Sequence, residues 1–236
     1  MQQYFVNTLL SEGEEYTFTK EQAHHARDVV RLDHETVRLV DPVSAWFAVC
    51  ETRGHDFVAV VTAKDEAVNE PRIEITLAMA LIRREKFELI LQKATELGVS
   101  RIVPFESSRC IVHAKKEKSD KQMQRYESIL LSAAEQCKRN NVPMICDVID
   151  FDDIEQAKSE VNLAAYENAG RSAAKISDFR INESVTVVIG PEGGFSEEEI
   201  RELEEKGFAP VTLGPRILRA ETAAIYALSV IGEGAM

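Results

Sequence analysis

Short hydrophobic runs separated by polar turns dominate the first 70 residues of the chain. Such runs, rich in aromatic and β-branched residues, are typical of β-strands. One interruption, at residues 21–32, places apolar side chains at helical spacing and predicts a helix. We therefore expect a small β-barrel that carries one helix. Its predicted strands are residues 4–8, 16–19, 36–40, 45–50 and 57–62.

Beyond residue 70 the pattern changes to longer apolar strands that alternate with amphipathic helices. This alternation predicts a parallel sheet covered on both faces, which is an α/β fold. The predicted strands are 73–81, 102–105, 144–148, 163–166, 185–189 and 210–213, and the predicted helices are 85–97, 120–140, 154–158, 196–206 and 219–231. A boundary at Asn69-Glu70-Pro71 divides the chain into domains 1–70 and 71–236.

The charge is distributed unevenly along the chain. The chain carries 28 basic and 40 acidic side chains, a net charge of −12, which excludes a uniformly basic nucleic-acid-binding protein. Residues 1–70 have 6 basic and 13 acidic side chains, residues 72–140 have 14 and 9, and residues 141–236 have 8 and 18. The basic central stretch predicts either a face that meets a polyanion or a set of solvated helix faces. Its cations include Arg83, Arg84, Lys86, Arg101, Arg109, Lys115, Lys116, Lys118, Lys121, Arg125, Lys138 and Arg139.

The cysteines and histidines show no spacing that suits a metal. Cys50, Cys110, Cys137 and Cys146 form no C-x-x-C pair, so neither a zinc site nor a disulfide framework is predicted. Four free thiols fit a reducing cytoplasm, where we expect the protein to act. No apolar stretch approaches the roughly 20 residues of a membrane span, and the opening residues do not resemble a secretion signal.

The first candidate for chemistry is a glycine-rich turn after a buried strand. Residues 185–189 run into Gly-Pro-Glu-Gly-Gly-Phe-Ser at 190–196, and three glutamates follow in the first turn of the next helix. Glycines allow a ligand to approach the backbone, but these glutamates would repel a phosphate at the helix N-terminus. ATP and NAD are therefore disfavoured, and a neutral or cationic ligand fits better beside Glu192. The alternative is a plain strand-to-helix turn.

A second segment with the same character follows. Residues 213–223, Leu-Gly-Pro-Arg-Ile-Leu-Arg-Ala-Glu-Thr-Ala, also leave a strand and enter a helix, with Arg219, Glu221 and Thr222 at its start. A third strand ends at Tyr166 and Glu167. In a parallel sheet these three strand ends would meet at one crevice, where open α/β sheets bind ligands.

Four motifs together carry a family resemblance. Through the sequences KATELGVSRIVPF, AAEQCKRNNVP, GPEGGFS and LGPRILRAETA, given in chain order, the protein resembles the RsmE family. This family comprises the 16S ribosomal RNA uridine(1498)-N(3)-methyltransferases of the SPOUT superfamily, in which the four motifs occur in the same order. The resemblance implies a PUA-like, RNA-binding barrel followed by a knotted α/β domain, a homodimer, and S-adenosylmethionine as the cofactor. The implied cofactor-binding residues are Tyr166, Glu167, Gly190, Pro191, Glu192, Gly193, Gly194, Leu213, Gly214, Ile217, Leu218, Arg219, Glu221, Thr222 and Ala223.

The resemblance also implies the substrate, 16S ribosomal RNA or the 30S subunit, and roles for several side chains. A cation near the uracil carbonyls would stabilise the anion formed on deprotonation, and Arg109 and Arg219 are the candidates. No general base is evident: Glu221 and Glu192 are candidates, but helix capping or cofactor contact explains each of them equally well. The implied RNA-binding residues are His25, Arg31, Arg83, Arg84, Arg109 and Arg139, although structural support is the alternative role for Arg139. The alternative function is a non-catalytic RNA-binding or ribosome-assembly module.

Overall fold

The computed structural model describes residues 1–113, 119–168, 170 and 173–235. These residues form two compact units. The first contains Met1–Glu70 and Ala134–Asn141, and the second contains Pro71–Ala133 and Val142–Met236. The division at residues 70 and 71 coincides with the expected boundary. The expected domain 71–236 differs from the second unit in one respect, because residues 134–141 belong to the first.

The first unit is built on a five-stranded sheet. Strands β3, β4, β5 and β2 pair antiparallel in that order, and β1 lies parallel to β3 at the edge. The strands are β1 (Gln3–Phe5), β2 (Glu15–Thr17), β3 (Thr36–Val40), β4 (Ala45–Arg53) and β5 (Asp56–Asp65). Aliphatic and aromatic side chains from all of the strands pack into one core, as the period-two alternation predicts.

The predicted helix of this unit is present, but most of it has π-helical geometry. Helix α1 (Lys20–Ala23) begins with a capping box in which Thr19 and Gln22 satisfy each other's backbone N–H groups. It continues as a π-helix, His24–Val30. Arg31 ends it in the left-handed region, at φ 61°.

Long-range polar contacts attach residues 134–141 to the first unit. Arg139 forms an ion pair with Glu70 at 2.5 Å, and its carbonyl accepts a hydrogen bond from the Gln3 side chain at 2.8 Å. The buried Arg38 donates to Asp65 at 2.7 Å and to the Lys138 carbonyl at 3.2 Å. Hydrophobic periodicity gives no sign of such contacts, which explains why the sequence places this segment in the second domain.

The second unit contains a seven-stranded sheet. Its strand order is β12-β10-β11-β6-β7-β8, with β9 also paired to β7, and every neighbouring pair is parallel. The strands are β6 (Glu74–Ala80), β7 (Arg101–Glu106), β8 (Met144–Ile145), β9 (Ile149–Asp150), β10 (Val161–Ala165), β11 (Ser184–Ile189) and β12 (Ala209–Val211). The parallel α/β sheet predicted from the alternating pattern is thereby confirmed.

Helices and two hydrophobic clusters cover both faces of this sheet. Ile75, Leu77 and Met79 of β6 point into one cluster, while Ala78 and Ala80 point into the other, as alternation along a strand requires. The helices are α2 (Arg84–Glu96), α3 (Ser119–Cys137), α4 (Glu197–Glu205) and α5 (Ala220–Gly234), and two 3₁₀ segments span Phe151–Ala157 and Ile176–Asp178.

Two elements of the second unit differ from the prediction. Of the strand predicted at 144–148 only residues 144–145 are extended, as β8, and a separate strand β9 follows at 149–150; the two pair with the two ends of β7. Pro104 lies between those two paired stretches of β7 and has no N–H to donate, which accounts for the interruption. The helix predicted at 154–158 is a 3₁₀ segment that begins three residues earlier.

Three absences concern the described part of the chain. No helix there combines the length and the apolarity needed to cross a membrane. No group of three histidine, cysteine or acidic side chains is arranged to hold a metal ion. None of the four cysteines forms a disulfide.

Candidate functional site

The glycine loop after β11 adopts a conformation that larger residues would disturb. Gly194 has φ 65°, in the left-handed region, and a Cβ at this position would lie 3.0 Å from Cδ of Glu167. A Cβ on Gly190 would lie 3.1 Å from the ring of Phe195. The loop therefore brings its backbone against the end of β10, where Glu167 lies, because neither glycine carries a side chain.

The second glycine-bearing loop meets the first around one pocket of about 80 Å³. The strands that precede these loops, β11 and β12, flank β10 in the sheet, so all three carboxyl ends lie at the same edge. The lining residues are Ala165, Glu167, Ile189, Gly190, Pro191, Glu192, Gly194, Phe195, Ile217, Leu218, Ala220 and Ala223. Apolar side chains, glycine backbone and the carboxylate-bearing Glu167 and Glu192 line the pocket together, which suits an organic ligand with a positive charge.

Eight of the predicted cofactor-binding residues line this pocket, and the others lie elsewhere. Leu213 and Gly214 line a neighbouring pocket of about 250 Å³ together with Tyr226 and Val230 of α5. Not among the lining residues of the 80 Å³ pocket are Tyr166, Gly193, Leu213, Gly214, Arg219, Glu221 and Thr222.

A lysine that sequence reasoning did not assign to the pocket links its two loops. The Nζ atom of Lys86 lies 3.6 Å from Oε1 of Glu192 and 3.5 Å from Oε2 of Glu221. Lys86 belongs to the first turn of α2, which follows β6, the neighbour of β11. The available signal in the sequence was the position of Lys86 just after a predicted central strand, at the edge of the sheet where the loops meet.

Arg109 is used to hold the glycine loop. Its Nη1 donates to the carbonyl oxygens of Gly193 at 3.1 Å and Phe195 at 3.2 Å. The adjacent Ser108 donates from its backbone N–H and its hydroxyl to Oε1 of Glu199, at 2.9 and 3.0 Å. Glu199 is buried in the first turn of α4, so the loop that carries Arg109 is anchored on both sides.

Arg219, the other candidate for stabilising an anion, lies in a different setting. It is exposed and occupies the N-cap position of α5, between the pocket-lining residues Leu218 and Ala220. Glu221 follows in the first turn of α5, and its Oε2 atom is buried and accepts no hydrogen bond from the described part of the chain. The Lys86 ammonium at 3.5 Å is therefore an electrostatic partner of this oxygen and not a hydrogen-bond donor to it.

Comparison with known proteins identifies the family. The family profile described as an RNA methyltransferase domain matches residues 69–232. The ribosomal RNA small subunit methyltransferase E of Bacillus subtilis (strain 168) is 34% identical over 98% of this chain and 96% of its own length. The chain belongs to this RsmE family. The Mesomycoplasma hyopneumoniae (strain 232) member is 40% identical over 72% of the chain and 74% of its own length.

Two solved structures similar to the chain were determined with a ligand. An RsmE structure from Neisseria gonorrhoeae bound to S-adenosyl methionine is 30% identical and superimposes with a TM-score of 0.89, covering 99% of this chain and 97% of its own. A putative methyltransferase from Legionella pneumophila in complex with the same cofactor is 32% identical, with a TM-score of 0.88 and coverage of 98% and 97%. The SPOUT-type α/β fold of RsmE proteins is thus the fold of this chain.

The residues that the RsmE resemblance implies for RNA binding divide by exposure. His25 and Arg31 are exposed in the first unit, where Nδ1 of His25 lies 3.1 Å from the Tyr4 hydroxyl. Arg83 and Arg84 are exposed at the start of α2 in the second unit. Arg139, in contrast, is 4% exposed, so its guanidinium serves packing and is not available to RNA. Lys115, Lys116 and Lys118 lie outside the described residues.

Burial shifts the titration of several groups in the first unit. It raises the pKa of Glu135 to about 7, against the opposing effects of the Phe5 N–H and the Lys138 charge. It also raises the pKa of Tyr4 to about 12, with smaller contributions from the Cys50 and Glu135 charges, and the pKa of the Cys50 thiol to about 12. The sequence offers no signal for these shifts, because they follow from tertiary burial.

Proposed function

We propose that this chain transfers a methyl group from S-adenosylmethionine to ring nitrogen N3 of a uridine in small-subunit ribosomal RNA, at the position called 1498. RsmE membership supports RNA methylation. The observation that carries the proposal is the convergence of two glycine-bearing loops on one pocket with Glu167 and Glu192 at its rim. A non-catalytic RNA-binding module has no use for such a pocket.

The chemistry of the pocket suits this cofactor. Ile217, Leu218 and Ala223 provide an apolar wall for the adenosyl group, and the backbone at Gly190 and Gly194 is open to close approach. Glu192 in the pocket lining carries a negative charge that a cationic ligand would compensate, and the buried Oε2 of Glu221, which accepts no hydrogen bond from the described residues, adds negative charge at the start of α5. When bound, S-adenosylmethionine supplies an electrophilic methyl group on a positively charged sulfur.

The residues of the chain supply orientation and charge. Uridine N3 must lose its proton before it can attack, and a nearby cation would stabilise the resulting uracil anion. Arg219 is the residue we assign to this role, because Arg109 already donates to two carbonyls of the glycine loop and so positions that loop. Glu221 is the candidate to accept the N3 proton. Holding the two partners in line accounts for a large part of the acceleration.

Mass spectrometry of ribosomal RNA tests the activity. Deletion of the gene should remove a single 3-methyluridine from 16S RNA, and the wild-type gene should restore it. The Arg219→Ala variant should bind S-adenosylmethionine normally in calorimetry and yet fail to restore the modification. An unchanged modification map in the deletion strain, or a wild-type protein that binds no S-adenosylmethionine, would count against the proposal.

We also propose that the protein acts as a homodimer. The second unit exposes apolar side chains that a partner would cover, among them Ile217 at 85% exposure and Tyr226 of α5 at 47%. Light scattering coupled to size-exclusion chromatography should give twice the chain mass. A Tyr226→Glu variant should shift that mass toward the monomer.

A further inference from the structure

The ammonium of Lys86 lies between two carboxylates from separate loops. Its Nζ atom is 3.6 Å from Glu192 and 3.5 Å from Glu221, and the side chains of the three residues are 30%, 22% and 14% exposed. Glu192 belongs to the glycine loop after β11, whereas Glu221 belongs to the first turn of α5. One lysine therefore links both loops of the pocket to α2.

Helix stability does not explain a lysine at this position. Lys86 lies in the first turn of α2, where the helix dipole disfavours a positive charge. Arg83 and Arg84 precede it, so the same end of the helix carries three cations. Residues that oppose local helix stability are expected where a functional site needs them. Here the nearby carboxylates of Glu192 and Glu221 explain the lysine, because its ammonium lies close to both.

Removing the lysine would leave the like charges of Glu192 in the pocket lining and Glu221 at the start of α5 without the cation that lies near both. Glu192 and Glu221 would repel each other, and the buried Oε2 of Glu221 would keep no charged partner among the described residues. Such repulsion would move the loops apart. The ammonium thus stabilises the arrangement of the loops and also reduces the net charge of the cluster from −2 to −1.

We propose that Lys86 is a positioning residue of the cofactor pocket. Its ammonium holds the Glu192 and Glu221 loops together and partly neutralises their negative charge. The inference rests on the proposed cofactor. It has a specific consequence for ligand choice. S-adenosylmethionine carries a positive sulfur and S-adenosylhomocysteine a neutral one, so the charge of the cluster sets the ratio of their affinities. Two carboxylates without Lys86 would favour the positive S-adenosylmethionine over the neutral S-adenosylhomocysteine strongly. With Lys86 present, the preference for S-adenosylmethionine is smaller.

Calorimetry on the full chain with both ligands separates the two effects of Lys86. In Lys86→Met, loss of loop positioning should weaken S-adenosylhomocysteine binding by about tenfold. S-adenosylmethionine should lose less affinity, because the extra negative charge compensates, so the ratio of the two Kd values should change by about threefold to tenfold. Lys86→Arg should preserve both affinities. Lys93→Met is the matched control, since Lys93 lies on the same helix and pairs only locally with Glu96 at 2.8 Å.

The outcomes distinguish this inference from the proposed function. A wild-type protein that binds neither ligand overturns both. A wild type that binds both, with a Lys86→Met variant whose two affinities and their ratio equal those of Lys93→Met, overturns the role of Lys86 alone. As a ligand-free check, the unfolding free energies of Lys86→Met, Glu221→Gln and the double variant should be non-additive. Additive values would show that the ion pair does not act on the loops.

Discussion

At the scale of single residues, Gly194 shows how backbone conformation and a neighbouring side chain together require glycine at one position. Its φ of 65° strains any L side chain, and the Glu167 carboxylate occupies the space that a Cβ would need. Gly54 provides a natural comparison. It has almost the same φ, 62°, but nothing lies within 4 Å of its Cβ position.

Gly194→Ala should therefore weaken S-adenosylmethionine binding by about tenfold, because the added methyl group displaces the exposed Glu167 carboxylate, which lines the pocket. Gly54→Ala should cost a similar backbone strain, about 1 kcal/mol of unfolding free energy, with cofactor affinity unchanged. Calorimetry and denaturant unfolding of both variants check this. Equal cofactor affinity in the two variants would contradict the placement of Gly194 in the binding site.

Gly193 acts on the pocket by a different route from the one its sequence position suggests. The sequence predicts that Gly193→Val fills the space that the ligand needs. In the structure, however, a Cβ on Gly193 would lie 3.3 Å from Cβ of Arg109. We therefore expect Gly193→Val to displace the Arg109 loop and to abolish cofactor binding, as calorimetry would measure, while circular dichroism shows a folded barrel. Retained affinity would contradict the role of this contact.

At the scale of elements, the start of α4 does more than begin a helix. Glu199 completes a capping box with Ser196 and also accepts two hydrogen bonds from Ser108, at 2.9 and 3.0 Å. It is buried, at 7% exposure. One carboxylate thereby ties a helix N-terminus to the loop that carries Arg109.

Replacing Glu199 should cost far more than replacing its neighbour. Glu199→Ala leaves the partly buried N–H groups of Ser108 and Ser196 without their carboxylate acceptor and should lower the unfolding free energy by about 1 to 3 kcal/mol. Glu197→Ala removes a side chain that is 81% exposed and should change it by less than about 0.5 kcal/mol. Urea unfolding of both variants provides the comparison, and equal losses would argue against the anchoring role.

At the scale of the whole molecule, Glu135 makes stability depend on pH. Burial raises its pKa to about 7 in the folded state, from 4.5. At this carboxyl group the folded protein therefore binds a proton more tightly than the unfolded chain does. The contribution of Glu135 to the free energy of unfolding becomes less favourable as the pH rises from about 4.5 to 7.

Glu135→Gln should remove that dependence. At pH 8 the variant should be more stable than the wild type by about 1 to 3 kcal/mol, and at pH 4.5 the two should be nearly equal. Denaturant titrations across this range measure the difference. A Glu135→Gln variant that is less stable than the wild type at pH 8 would show that the folded protein stabilises the ionised Glu135 carboxylate.

RNA binding is also a property of the whole molecule, because charge is concentrated in one part of an acidic chain. The exposed pair Arg83 and Arg84 should contact phosphates, so the double alanine variant should reduce the salt slope of 16S RNA binding by about 1 to 2. The control is a double alanine variant of Arg180 and Arg201, which are exposed in the acidic C-terminal segment. Equal slopes for the two variants would assign Arg83 and Arg84 to a solvated helix face.

Local sequence patterns determined most of the elements. Period-two alternation in the first 70 residues and continuous apolar runs such as β11 were sufficient to predict a barrel-like sheet and a parallel α/β sheet. The predicted parallel sheet placed the two glycine-bearing loops at one crevice, since the carboxyl ends of parallel strands share an edge. These features follow from the chain itself, because they depend on residues close in sequence.

Only the tertiary structure decided which distant groups meet. The pairing of Arg139 with Glu70, the attachment of Arg109 to the glycine loop, and the position of Lys86 between two glutamates all join residues separated by 69 or more positions. The same holds for the raised pKa of Glu135, which burial produces. No periodicity encodes such contacts, because each depends on the packing of elements and not on the pattern within one.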